Sequence, residues 1–139
     1  MDILSLYQYA EAHAIDVDWF AMQKAESLSI PLPDGGGAVA LDPWKLETVA
    51  EEKVHLAHEV GHCETGSFYN RNATCDIRQK HENRADKWAI KKLIPEDELE
   101  QAVENGFTEL WELAEYFEVT EDFMKKAMCL YKNGNLYSG

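Results

Sequence analysis

Two stretches of this chain put ionisable side chains where a helix should bury apolar ones, and each is explicable only if it packs against the other. The first, VHLAHEVGHCE at residues 54–64, carries three histidines and lies on a segment whose Ala50, Val54, Ala57 and Gly61 recur at i, i+4, i+7 and i+11. That is the spacing of one buried helix stripe. His58 and His62 are four residues apart, so their side chains lie about 40° from each other on one face, one turn above the other. Two imidazoles so placed can hold a single ion. Glu59, about 100° round the helix from His58, can approach a water there without ligating the metal itself. The pattern is H-E-x-x-H, in which the two histidines bind zinc and the glutamate is a general base.

The second stretch, QKHENRADKWAIKKL at residues 79–93, has Glu82 and Asp86 in line with Ala89 and Leu93, so two carboxylates fall on the face that should point at the core. Buried carboxylates are costly unless paired or metal-bound. Glu82 as a third ligand, and Asp86 as acceptor for the distal ring N–H of a ligand histidine, would satisfy both. A catalytic zinc takes three protein ligands and keeps a fourth position open. The two stretches together read as a His/His/Glu site for Zn2+.

The remaining segments supply a scaffold of matching size. Ile3, Leu6, Tyr7 and Ala10 have helical spacing behind Asp2, which sits at the positive end of that helix. Short β-type runs follow at 17–20, 28–32 and 38–41, broken by PLPDGGG, which predicts a small sheet with a hairpin. Residues 64–77 have no period and read as an irregular connection, of the length that often carries function. Helices are expected from Arg78 to Leu93, over EDELEQAVENG, over FTELWELAEYF and over TEDFMKKAMCLY, with Thr120 as an N-cap and a frayed tail KNGNLYSG. Trp44, Trp88 and Trp111 read as core or half-buried anchors. The fold class is α+β, mostly helical with about three strands packed on the active-site helices. We expect one domain over residues 1–139, its C-terminal helices at about 96–133 acting as a buttress.

Charge limits the partners. Against 13 Lys and Arg stand 26 Asp and Glu, for a formal net charge of −13. Such a surface opposes binding to phosphate backbones and to anionic membranes. The segment LWELAEYFEVTEDFMKKAMCLY looks like a helix-turn-helix, yet residues 96–139, which contain it, carry 11 acidic and 3 basic residues, so the would-be reading head lies in the more repulsive half. Direct nucleic-acid binding is not expected. The three cysteines, Cys63, Cys75 and Cys129, are widely spaced, and neither a signal peptide nor a long uncharged apolar run is apparent. A reduced, cytoplasmic protein with no membrane attachment is the expectation.

HEVGH followed after a loop by ENRADKWAIKKLIP resembles the ImmA/IrrE metallopeptidases, small gluzincin-like proteins of bacteria, phages and integrative elements. The resemblance spans roughly residues 1–133 and includes AVALDP ahead of the first motif. It implies a zincin-like fold, with His58, His62 and Glu82 binding zinc, Glu59 as general base and Asp86 behind the ligands. It also implies a protein substrate of the helix-turn-helix repressor type, encoded nearby. The rival reading is a non-catalytic, zinc-stabilised module that sequesters a regulatory partner. Tyr69, His81 and Arg84 stay open as candidate oxyanion donors. His55, near the face of His62 but two turns away, is expected to be packed or solvent-touching rather than a ligand, as are His13 and His81. Cys63 and Cys75 are read as idle or buried thiols.

Overall fold

The computed structural model describes residues 1–136. Its elements run α1 (Ile3–Ala12), β1 (Ile15–Trp19), β2 (Ser27–Pro31), β3 (Gly37–Leu41), α2 (Val49–Thr65), α3 (Cys75–Leu93), α4 (Glu96–Glu104), α5 (Leu110–Phe117) and α6 (Glu121–Asn133). The class is α+β, mostly helical with one small sheet, as the sequence predicts. Strand order is β1-β3-β2, with β1 parallel and β2 antiparallel to β3. The β2–β3 pair is the expected hairpin, and β2 forms one edge of the sheet.

Side chains alternate across a strand. Register places Val17, Val39 and Ser29 in one row, and Trp19, Leu41 and Ser27 in the next. Val39 and Leu41 are buried, so this is the inner face, and α2 packs against β2 and β3. Ser27 and Ser29 therefore turn inward from the edge strand, while Leu28 and Ile30 between and beyond them are exposed. One apolar cluster draws on α1, β1, β3 and all the later helices, from Leu6 and Ile15 through Leu56, Ile90 and Leu113 to Met124.

The two motif helices pack directly on each other. A Cβ added at Gly61 would lie 2.7 Å from the carbonyl oxygen of Ala85, closer than real Cβ atoms come to anything. Glycine in the fourth place of HEVGH thus lets α2 lie backbone-close against α3. The buried side of α2 is broader than its small-residue stripe suggests, because Leu56, Val60 and Lys53 are also buried. Lys53 donates to the carbonyl of Phe117 at 2.7 Å, and Lys126 to Asp86 at 3.1 Å, so α5 and α6 are tied to the two motif helices by buried or half-buried ammonium groups.

Four details differ from expectation. Helix α3 begins at Cys75, three residues early, because the Thr74 side chain caps it by accepting from the N–H of Ile77. With α2 running to Thr65 and Gly66 ending it in the left-handed region at φ 64°, the irregular connection shrinks to residues 66–74. Trp44 and Trp111 are surface residues, 78% and 55% exposed. The turn that Asp42 closes by accepting from the N–H of Trp44 leaves that ring outside, and Trp111 lies about 200° round α5 from buried Leu113. Trp88 is half-buried against the core. The tail is not frayed through residue 136, since Lys132 and Asn133 complete α6 and Leu136 is buried; its residues 137–139 lie outside the described residues.

The Gly61→Ala substitution should force α2 and α3 apart against a packed core. Overpacking of this kind costs about 1–3 kcal/mol. Urea denaturation of the metal-free protein should report that loss, and a stability equal to wild type would show that the helix contact tolerates a methyl group.

Candidate metal centre

Helix periodicity brings His58 and His62 to one face of α2, and the close α2–α3 contact brings Glu82 over them. Their nitrogen and oxygen atoms lie within 4.8 Å of one another. His58 Nε2 is 2.7 Å from Glu82 Oε2, His62 Nε2 is 3.1 Å from Glu82 Oε1, and the two Nε2 atoms are 3.2 Å apart.

The far sides of both rings are anchored. His62 Nδ1 donates to the carbonyl of Ser67 at 2.6 Å, which in the neutral ring leaves the Nε2 lone pair facing the cluster. His58 Nδ1 meets Asp86 Oδ1 at 2.6 Å. Anchors of this sort fix the tautomer and orientation of a metal-binding imidazole. Four-coordinate zinc with bonds of about 2.0–2.1 Å separates its ligand atoms by about 3.3 Å, close to the 3.2 Å between the two Nε2 atoms and the 3.1 Å from His62 to Glu82, while His58 and Glu82 at 2.7 Å stand at hydrogen-bond distance. Two nitrogens and a carboxylate aimed at one point also need a positive charge between them. Without one, a proton on His58 takes that part.

The electrostatics follow from the same contacts. Burial works against charge on His58, but hydrogen bonds to Asp86 and Glu82 and the nearby charges of Asp86 and Glu59 outweigh it, raising the pKa to about 10. Burial likewise opposes ionisation of Glu82, yet the hydrogen bond and positive charge of His58 hold the carboxyl far below the usual range. Asp86 is buried too, but His58 and Lys126 keep it ionised below the normal pKa. Tyr69 lies in the 66–74 connection and donates to Glu82 Oε1 at 3.0 Å; burial, then that bond, raises its pKa.

Glu59 points along the sheet side of the cluster and is buried. Its Oε2 accepts from the Ser27 hydroxyl at 2.6 Å and its Oε1 from the Ser29 hydroxyl at 2.7 Å. A cavity of about 350 Å³ opens here, lined by β2, the two histidines, Glu59, Tyr69 and Glu82. A second, of about 590 Å³, lies on the other side and runs to Phe123 and Lys126 of α6. The centre therefore sits in a cleft bounded by the edge strand and by α6.

The remaining histidines, the cysteines and Arg84 lie outside the donor cluster. His55 is outside the cluster, bonded through Nδ1 to Ser27 Oγ at 3.0 Å and paired through Nε2 with Glu26 at 3.1 Å. His13 stacks on Tyr9 and pairs with Glu64, and His81 stacks on Tyr69. Arg84 is exposed. The three cysteines are free thiols, and burial followed by the charges of Glu59 and Glu64 pushes Cys63 up to about 11. Ser27, Ser29, Ser67 and Lys126 were not singled out from the sequence. The period-2 pattern of SLSIP did carry a signal, since it puts both hydroxyls on one strand face.

A carboxylate held beside three converging metal donors is the arrangement of the metallopeptidase class. The family model Peptidase M78, described as the IrrE N-terminal-like domain, matches residues 10–128, and the chain belongs to that family. No curated protein matches it. No helix among the described residues is long and apolar enough to cross a membrane.

Two outcomes are expected of the metal-free and metal-loaded protein. His58 has a folded pKa of about 10 against an ordinary 6.5, so its contribution to stability is fully present below 6.5 and is lost as pH rises through 10. Denaturation midpoints of the metal-free protein should accordingly fall across that window, and the Asp86→Asn variant should show a weaker fall. Loaded protein should hold about one zinc per chain, and Glu82→Gln or His62→Ala should lower zinc affinity by at least about 100-fold in a chelator competition. Retention of wild-type affinity in either variant would remove that residue from the ligand set.

Proposed function

We propose that this protein is a zinc-dependent endopeptidase that cuts a helix-turn-helix-type transcriptional repressor, with His58, His62 and Glu82 as ligands and Glu59 as general base. The observation that carries the reading is the convergence of two imidazoles and a carboxylate beside a buried, hydrogen-bonded Glu59 in an open cleft. Bound on those three residues, zinc supplies Lewis-acid chemistry, lowering the pKa of water and polarising a carbonyl. Glu59 takes a proton from the attacking water at a carboxylate oxygen and returns it to the leaving nitrogen. Asp86 and the Ser67 carbonyl keep the two imidazoles turned toward the cluster. Tyr69, whose hydroxyl already reaches Glu82, is the oxyanion donor of the three candidates.

An extended substrate segment pairs with the free edge of β2 and so lies across Glu59, a mode of capture that depends on main-chain hydrogen bonds more than on side chains. Family membership supports peptidase activity, and the net charge of −13 suits a substrate with a basic DNA-binding region. Purified zinc-loaded protein, incubated with a repressor encoded beside it, should yield two fragments by mass spectrometry. Glu59→Gln should keep zinc and fold while cutting at least about 1,000-fold more slowly. Relief of repression by that variant, undiminished, would instead favour a module that sequesters the repressor without cutting it.

A further inference from the structure

We propose that Ser27 and Ser29 are positioning residues that lock the carboxylate of Glu59 in the direction its proton transfer needs. The inference rests on the reading of Glu59 as general base and extends it to two residues outside the metal-binding motif. Residues i and i+2 of a strand face the same way. Two serines so spaced on β2 can therefore bracket one carboxylate, and here each takes a different oxygen, at 2.6 and 2.7 Å. Holding both oxygens fixes rotation about the last side-chain bond. Ser27 is itself held, because His55 Nδ1 lies 3.0 Å from its Oγ and His55 Nε2 lies 3.1 Å from Glu26.

The chemistry of the clamp suits a base. A buried carboxylate needs hydrogen bonds, and a lysine or arginine would supply them while suppressing proton affinity. Neutral hydroxyls satisfy both oxygens without adding a charge of their own. Because the clamp belongs to the edge strand, one register sets both the base and the substrate beside it.

The test compares wild type, S27A/S29A, S27T/S29T and Glu59→Gln, all loaded with zinc. Wild type selects a peptide from a mixed synthetic library by its rate of cutting. The double alanine variant should bind about one zinc with KM changed less than about threefold, while kcat falls about 100-fold, the usual scale for a misplaced reacting group. The threonine variant, which keeps both hydroxyls, should recover most of the loss. A second readout needs no turnover: the infrared difference between each form and Glu59→Gln isolates the Glu59 carboxylate band, which should shift in the alanine variant and return in the threonine one. An unshifted band overturns the clamp, as does wild-type kcat in the alanine variant when Glu59→Gln is inactive. Should Glu59→Gln cut as fast as wild type, the general-base role fails instead, and this inference falls with it.

Discussion

The backbone of α3 at Ala85 lies so close to α2 at Gly61 that no side chain fits between them. Everything at the centre depends on that contact. His62 directly follows Gly61, and His58 and Glu82 lie three residues before Gly61 and Ala85, so the point of closest approach is within about one helical turn of all three donors. An ordinary helix pair is separated by 8–10 Å between axes, with side chains filling the gap. At the lower end of that range, a glutamate on one helix reaches imidazoles on the other without stretching, and the three donors share one point. The contact is therefore a geometric requirement of the site as well as a packing feature.

Closeness has an electrostatic cost, which the C-terminal helices offset. Glu59, Glu82 and Asp86 surround His58, and three carboxylates in partly buried surroundings would repel one another unless each had a partner. Lys126 of α6 reaches Asp86 from the side opposite His58, and the two serines of β2 take Glu59. Lys53, buried in α2, spends its charge on the Phe117 carbonyl and so anchors the end of α5, from which α6 departs. The helical pair that resembles a DNA reader in sequence acts here as a wall of the cleft and a source of positive charge for it. Its acidic outer surface fits that position.

What could be read from the sequence was local. His58/His62 and Glu82/Asp86 each follow from the i, i+4 geometry of one helix, and the incongruity of Glu82 and Asp86 on a buried face was enough to call for the other helix. The hairpin, the small sheet and the helix order likewise follow from period and turn residues. Contacts across long separations did not announce themselves: Ser27 and Ser29 lie about thirty positions before Glu59, and Lys126 lies 40 after Asp86. Ser67 serves through its backbone carbonyl, which no residue type encodes. Trp44 and Trp111 depart from expectation for another reason, while Trp88 is half-buried as its spacing predicts. Size argued for burial, but the helix face of Trp111 and the turn at Trp44 decided the matter.

The charge at Glu59 is hard to explain by stability. A structural metal site closes its coordination with four protein ligands, whereas three converge here among the described residues, and a buried carboxyl group beside them adds desolvation cost without adding a ligand. The two serines could be replaced together with Glu59 by apolar residues of similar volume, which in buried polar clusters is often neutral or stabilising. They could also satisfy a glutamine, whose amide accepts and donates where the carboxylate only accepts. Nothing in the packing of α2 against β2 thus requires a negative charge at this position. A proton acceptor held steady next to an ion that acidifies water does require one, and this is the physical reason to favour a hydrolytic centre over a binding module.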